Sequence, residues 1–192
     1  MKRLIDQALR HFSVEDAARK FVLDRLGVHF DFYQEVGAAD RVTGQKYRFD
    51  AVSVCESTGY LLGWEFKRSH LLKKEFGKAL KQAADYREAV ITDAKLSSLH
   101  GKQVEACIVF PDWDGLHASG RMDNAKEADG MRLMASYFRV GTLAHRMPTD
   151  DLRIIVGEQP IWHSTTGWNG LAEGVLRGKR PRGATKSYDL TS

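Results

Sequence analysis

The sequence predicts an α/β fold in which helices flank a mixed central β-sheet. Three observations indicate this: a helical period over residues 13–27, an alternation with a period near two over the segments that follow, and a second helical period from residue 69 to about residue 91. Helices and strands that follow one another in this way bury their apolar faces in layers. A chain of 192 residues is long enough to bury such a core as one domain.

The first long helix is predicted over residues 13–27, after a shorter one over residues 3–12. Ser13 is a candidate N-cap, Glu15 lies in the first turn, and Gly27 can end the helix. Apolar residues recur at helical spacing, namely Val14, Ala18, Phe21 and Val22. This pattern is typical of a helix that packs one face against a sheet.

Three strands are predicted next, over residues 28–36, 47–54 and 60–67. Apolar and β-branched residues dominate these segments, as strands favour. The second and third strands are separated by the glycine-containing turn ESTG, residues 56–59, which is typical of a hairpin. After the second helix, residues 104–110 read as a short buried strand that ends before a proline.

The C-terminal half is predicted to hold a polar loop, then a helix over residues 131–140 and one strand within residues 151–162. The tail, residues 178–192, is basic and contains proline and glycine, so it is predicted to be mobile. We therefore expect a single domain over residues 1–177, with a motif-bearing core over about residues 13–110.

Composition narrows the class of protein. The net charge is +4, which favours an anionic partner such as a nucleic acid. No apolar run reaches about 18 residues, so no membrane-spanning helix is predicted. Cys55 and Cys107 both lie in predicted strands and lack the number and spacing of a zinc site. We expect reduced core thiols and a cytoplasmic location, in a bacterium or a phage-infected cell.

Three charged residues interrupt the predicted hairpin: Asp50, Glu65 and Lys67. Counting outwards from the ESTG turn, Cys55 faces Tyr60 and Asp50 lies opposite Glu65. Residues two apart on a strand share a face, so Glu65 and Lys67 point the same way. The three Cβ atoms are then expected within roughly 5 to 7 Å of one another.

Such a cluster has a chemical and a structural explanation. Two adjacent carboxylates repel unless a cation lies between them, and hard carboxylate oxygens suit Mg²⁺ or Mn²⁺. A lysine beside them can orient a water, which completes a set suited to phosphodiester hydrolysis. The alternative is an ordinary cross-strand ion cluster on a surface. Apolar neighbours argue against that alternative, namely Phe49, Ala51, Val52, Val54, Leu61, Leu62, Trp64 and Phe66.

Asp50, followed after fourteen residues by Glu65, Phe66 and Lys67, resembles the signature of the PD-(D/E)xK nuclease superfamily. Phe49 stands where that family often has proline. The resemblance implies a restriction-endonuclease-like core and a Mg²⁺-dependent deoxyribonuclease, in which Mn²⁺ can substitute. It also implies that Asp50, Glu65 and the Phe66 carbonyl bind the metal, that Lys67 positions the attacking water, and that products carry a 5′-phosphate.

Gln82 and Tyr86 lie four residues apart on the second helix and share a face. They are similar to the QxxxY motif of the RecB-like branch, where the pair contacts the substrate backbone or braces the site. The resemblance leads us to expect that both residues contact the phosphate backbone of the substrate. Lysines crowd the rest of this helix, namely Lys73, Lys74, Lys78 and Lys81. Lys74 and Lys78 are the candidate phosphate contacts, and a solvated lysine-rich face is the alternative.

The family usually has one more acid on the helix before the sheet, and Glu15 is the candidate for a catalytic and metal-binding role. On a helical wheel Glu15 aligns with Val22 and Leu26, on the flank of the apolar stripe, whereas Asp16 points to solvent. Glu35, near the end of the first predicted strand, is the rival.

These features lead us to expect a metal-dependent DNA nuclease acting in recombination, repair, restriction or phage DNA processing. The alternatives are a non-catalytic nucleic-acid-binding or assembly protein on the same fold, and an interaction domain with a surface charge cluster. Exonuclease and endonuclease activity are both compatible with the sequence, as are DNA and RNA. A homo-oligomer or a larger DNA-processing complex is a possible assembly.

Overall fold

The structure is a computed structural model. It describes the following ranges of the chain: 14–68, 73–111, 133–146, 150–157 and 159–178. Some sequence-based predictions fall outside these residues, namely the helix over residues 3–12, the polar loop that follows the strand at residues 104–110, and the basic tail beyond Gly178.

Three helices and nine strands have defined bounds within the described residues. The helices are α1 (Glu15–Leu26), α2 (Lys73–Glu88) and α3 (Ala172–Leu176). The strands are β1 (Asp31–Asp40), β2 (Lys46–Val54), β3 (Leu61–Phe66), β4 (Ala89–Ile91), β5 (Ala106–Phe110), β6 (Val140–Arg146), β7 (Asp151–Val156), β8 (Gln159–His163) and β9 (Gly167–Trp168). Residues 133–138 are also helical.

All nine strands belong to one sheet, in the order β4-β1-β2-β3-β5-β6-β7-β8-β9. Strand β5 runs parallel to both β3 and β6, and the other neighbours pair antiparallel. A parallel neighbour requires a crossover connection, and α2 lies in the one between β3 and β5. The predicted α/β class and mixed sheet are confirmed.

Helix α1 forms where its apolar residues repeat every four positions. Its fully buried residues are Ala18, Val22 and Leu26. Gly27 occupies the C-cap position, as predicted, and its N–H donates to the carbonyl of Leu23. The N-cap prediction is wrong by one residue, because Val14 and not Ser13 precedes the first helical residue. Val14 has no side-chain capping group, and its carbonyl accepts from the N–H groups of Ala17 and Ala18 over 3.2 and 3.4 Å.

Strand β1 lies later in the chain than predicted. The N–H groups of His29 and Phe30 both donate to the carbonyl of Leu26, which continues the helical turn instead of starting a strand. Residues 37–40, which lie beyond the predicted strand, pair with β2 as far as Ala39 and with β4 as far as Asp40. The strand therefore covers Asp31–Asp40 and not residues 28–36.

The hairpin of β2 and β3 has the predicted register. The pairs run from Val54 with Leu61 to Ala51 with Trp64, and the Cys55 N–H donates to the Tyr60 carbonyl over 3.0 Å. Gly59 in the turn has a φ of 67°, which glycine adopts without steric cost.

Further corrections concern helix α2 and the elements that follow it. Helix α2 ends at Glu88, three residues earlier than predicted, because the next three residues form β4. The helix predicted over residues 131–140 is confirmed over residues 133–138, but Val140 begins β6. The single strand predicted within residues 151–162 is a hairpin, β7 and β8, which turns at Gly157. Strand β9 and helix α3 were not predicted.

The sheet separates two hydrophobic cores. Helices α1 and α3 cover one face, where Trp64 and Phe66 are fully buried. Helix α2 covers the other, where Phe49 and Tyr86 pack with their ring centroids 4.8 Å apart. In the part of the chain that the structure describes, no helix is long and apolar enough to cross a membrane.

Candidate active site

Glu65 is the buried centre of the predicted cluster. It lies on β3, is 1% exposed, and its Oε1 forms an ion pair with the Lys67 ammonium. Its Oε2 is buried and has no hydrogen-bond partner among the described residues. Burial and the nearby charge of Asp50 raise the pKa of Glu65 from 4.5 to about 7. Oε2 of Glu65 therefore lacks a partner, which a cation, a proton or a hydrogen-bond donor could supply.

Lys67 lies just past the end of β3, with 19% of its side chain exposed. Burial opposes its charge, but the carboxylates of Glu65, Glu15 and Asp50 outweigh that effect and raise the pKa of Lys67. The ammonium is consequently protonated at neutral pH. It can donate hydrogen bonds but cannot act as a base there.

Asp50 lies on β2, one position beyond the last ladder pair with β3. Its Oδ2 accepts the N–H of Phe66 over 2.7 Å, and its Oδ1 is 3.7 Å from Nη2 of Arg19. Its charge acts on the pKa values of both Glu65 and Lys67. The structure thus brings together the two carboxylates and the lysine that the hairpin register predicted.

In strands β1 and β2, the side chains stop alternating between the two faces of the sheet at the level of Asp50. On β1, Tyr33 and Val36 contact the same core, on the side of α2. On β2, Val52 and Phe49 do the same. Strict alternation would place residues three apart on opposite faces. The alternation is therefore interrupted in both strands at the level of Asp50.

Glu35 lies at this interruption, with a φ of 54°, which is rare for a residue other than glycine. The ladder pairs on either side place it opposite Asp50. Its Oε1 accepts from Arg19 over 2.9 Å, and its Oε2 lies 3.0 Å from Nε of Arg48. Two arginines already pair with Glu35, which disfavours it as the additional metal-binding acid.

Glu15 is exposed, as is Asp16, so the prediction that Glu15 leans towards the core is wrong. Helix α1 begins at Glu15, so this side chain lies in the exposed first turn of the helix. Its charge nevertheless raises the pKa values of both Glu65 and Lys67. Of the two rival acids, Glu15 is the one placed to act on the cluster.

Arg19 was not among the residues that the sequence indicated. It lies four residues after Glu15 and so shares its helix face, which is the one signal that the sequence offers. Its guanidinium lies over the Phe66 ring, 5.9 Å from the ring centroid, and bridges Glu35 and Asp50. It is a second cation at the site besides Lys67.

The Gln82 and Tyr86 pair is an internal brace. Nε2 of Gln82 donates to the Tyr86 hydroxyl over 2.6 Å, and that hydroxyl donates to the Arg48 carbonyl over 2.8 Å. Tyr86 is 5% exposed, and burial raises the pKa of its hydroxyl well above the usual range. Of the two roles implied by the QxxxY resemblance, the geometry favours bracing: it ties α2 to β2 two residues before Asp50.

We expect Tyr86→Phe to lower the free energy of unfolding by about 1 to 2 kcal/mol, because it removes the partly buried hydrogen bond to the Arg48 carbonyl. Urea unfolding measures this, with Tyr33→Phe as the matched control on a half-buried tyrosine of the same core. Equal losses in the two variants would show that the bridge to β2 contributes nothing specific.

The candidate phosphate contacts on α2 are only partly described. Lys78 is exposed, as a phosphate contact requires, whereas the side chain of Lys74 lies outside the described residues. Lys81 pairs with Asp85 one helical turn later and is 75% exposed. An exposed lysine suits either a phosphate track or a solvated face, so Lys78 remains a candidate.

The donors at the site fit a divalent cation. Within the described ranges, no group of three or more His, Cys, Asp and Glu side chains could hold a metal ion. Asp50 and Glu65 supply two carboxylates, and the Phe66 carbonyl lies between Glu65 and Lys67 in sequence. Mg²⁺ usually binds through only one or two carboxylates and keeps several waters. The buried, unpartnered Oε2 of Glu65 is the observation that favours a cation here.

Comparisons of this chain with protein-family models, curated proteins and solved structures find no match. The case for a function therefore depends on the geometry of Asp50, Glu65 and Lys67 and on the residues that hold them.

Proposed function

We propose that the chain is a metal-dependent nuclease that hydrolyses DNA phosphodiester bonds on a restriction-endonuclease-like core. The observation that carries this proposal is the buried carboxylate of Glu65, which has one oxygen on Lys67 and the other without a partner. A second carboxylate, Asp50, lies on the adjacent strand. Two carboxylates in a buried position are destabilising unless a cation neutralises their charge. Such unfavourable charge burial is typical of functional sites.

Asp50, Glu65 and the Phe66 carbonyl would hold Mg²⁺, with Mn²⁺ as a substitute. A bound divalent ion lowers the pKa of water and offsets negative charge on a phosphate. Lys67, protonated at neutral pH, would hold the attacking water through a hydrogen bond and stabilise the charge that develops on the phosphorus oxygens. Glu15, in the first turn of α1, would bind the metal directly or through a water.

DNA is the substrate that the surroundings favour. The net charge of +4 and the exposed Lys78 on α2 suit a polyanion. Gln82 and Tyr86 would keep β2, and with it Asp50, in position while the phosphate is bound. The function requires no membrane, and a homo-oligomer or a larger DNA-processing complex is compatible with it.

Cleavage assays test the proposal. Linear duplex, circular, single-stranded and branched DNA, with RNA alongside, are incubated with Mg²⁺, Mn²⁺ or EDTA. We expect metal-dependent cleavage that leaves 5′-phosphates. Asp50→Asn should lower the rate by about a hundredfold or more, because it removes one of two metal-binding charges. Asp31→Asn, at an exposed position on β1, is the matched control and should keep the wild-type rate.

The outcomes separate the candidate functions. A wild-type protein that cleaves none of these substrates in either metal is not a nuclease of this kind. If that protein still binds DNA, the alternative of a non-catalytic nucleic-acid-binding protein is favoured. Cleavage that survives Asp50→Asn would keep the activity but place its site elsewhere.

A further inference from the structure

Arg19 points to a further property of this site, and the inference rests on the proposed function. We infer that Arg19 is a displaceable counter-cation, which neutralises Asp50 in the metal-free protein and transfers to a substrate phosphate when a divalent ion binds. Metal and phosphate would then bind cooperatively through this one side chain.

The contacts of Asp50 give the first step. Oδ2 of Asp50 is engaged by the N–H of Phe66, and Oδ1 faces Nη2 of Arg19 at 3.7 Å. A cation that uses Oδ1 must therefore compete with the guanidinium for it. The competition takes place at a partly buried pair, with side-chain exposures of 24% for Arg19 and 26% for Asp50. Water screens such a pair less than it screens fully exposed charges.

The other contacts of Arg19 give the second step. Nη1 of Arg19 donates to Glu35, and the guanidinium lies over the Phe66 ring. These two contacts would keep the guanidinium at the site when a metal ion binds Asp50. Nε is buried and has no partner among the described residues. Nη2 would then face a divalent cation of like charge, and an anion between the two would relieve that repulsion.

A phosphate of the substrate is the anion that the site is proposed to receive. Guanidinium groups bind phosphate oxygens through paired N–H donors, which a single ammonium cannot reproduce. Arg19 would thus leave Asp50 for the phosphate, and each ligand would favour the other. Such coupling is reciprocal: phosphate tightens the metal by the same factor by which the metal tightens phosphate.

Calorimetric titration with MnCl₂ alone tests the first step. Arg19→Gln should bind Mn²⁺ about threefold to tenfold more tightly than the wild type, since the competing cation is gone. Arg48→Gln is the matched control, because it removes an equal charge from the other oxygen of Glu35 and should change the affinity by less than about twofold. If Arg19→Gln does not fold, Arg19→Met keeps most of the aliphatic stem, removes the charge and answers the same question.

The second step is tested by repeating the titration with a short DNA strand that carries phosphorothioate linkages, which resist hydrolysis. The DNA should tighten Mn²⁺ binding to the wild type by about threefold or more, and this gain should be absent from Arg19→Gln. Circular dichroism and thermal unfolding confirm that each variant is folded.

The results distinguish this inference from the proposed function. Unchanged or weaker Mn²⁺ binding by Arg19→Gln, with cleavage by the wild type intact, overturns the inference and leaves the nuclease in place. An equal gain in Arg48→Gln also overturns it, because a general charge effect would explain both. If the expected Mn²⁺ and DNA binding is observed but no substrate is cleaved, the coupling through Arg19 is supported and the proposed nuclease activity is overturned. No Mn²⁺ binding by the wild type overturns both.

Discussion

Glu65→Gln is expected to abolish metal-dependent cleavage and, at about pH 8, to raise the free energy of unfolding by about 1 to 3 kcal/mol. Cleavage is lost because glutamine cannot supply the negative oxygen that the cation needs. Stability rises because glutamine resembles the neutral carboxyl, which the buried position prefers over the ion.

The sign of the pH dependence follows from the raised pKa. Burial and Asp50 raise the pKa of Glu65 from 4.5 to about 7, so between these values the folded state holds a proton that the unfolded state has released. The wild type should therefore lose stability as the pH rises from about 5 to about 7.5. The Glu65→Gln variant should lack this contribution. Metal binding has the opposite dependence and should strengthen over the same interval, since the metal requires the ionised carboxylate.

Urea unfolding at about pH 5 and pH 8 measures both effects, with Glu56→Gln in the exposed ESTG turn as the control. The difference between the wild type and Glu65→Gln should widen with pH, while Glu56→Gln should follow the wild type. A difference that stays constant across this interval would mean that Glu65 ionises normally.

Lys67→Met is expected to lower the cleavage rate by about a hundredfold to ten-thousandfold while Mn²⁺ binding is retained. The ammonium is the group placed to hold the attacking water and to offset charge on the phosphate, whereas the metal depends on the carboxylates. Methionine keeps most of the aliphatic stem, so the change removes the charge and little packing.

Single-turnover cleavage and Mn²⁺ calorimetry separate these two effects, with the exposed Lys102→Met as the matched control. Lys102→Met should cleave at the wild-type rate. If Lys67→Met did the same, Lys67 would be a structural partner of Glu65 and nothing more. Loss of both metal binding and cleavage would indicate that the variant no longer holds Glu65 in place.

The part of the site that the sequence could predict is the part set by local structure. One turn with glycine at its positive φ position fixes the pairing of β2 with β3, and counting from it places Asp50 near Glu65 and Lys67. The mixed sheet and the two long helices also follow from hydrophobic period. Helix ends and short strands such as β4 depend instead on neighbours distant in sequence.

The contacts of Arg19 could not be predicted from the sequence for the same reason. Its partners, Glu35 and Asp50, lie on β1 and β2, and no local sequence pattern predicts the relative register of these two strands. The left-handed backbone conformation of Glu35 could not be predicted either. Glutamate has no preference for this conformation, and the surrounding strands impose it. The error over Glu15 arose because a helical wheel describes a helix interior, and Glu15 is its first residue.

The interrupted alternation in β1 and β2 affects which sequence changes would leave the position of Asp50 unaltered. Strand pairing and the backbone at Glu35 set where Asp50 lies, and among the core side chains Tyr86 adds a hydrogen bond to β2. Apolar residues on either side can be exchanged for others of similar volume with little displacement of the carboxylates. Insertions that shift the register by one residue are different, because they would turn Asp50 away from Glu65. Selection on such a protein would therefore tolerate wide drift in its interior and almost none in the length of one hairpin.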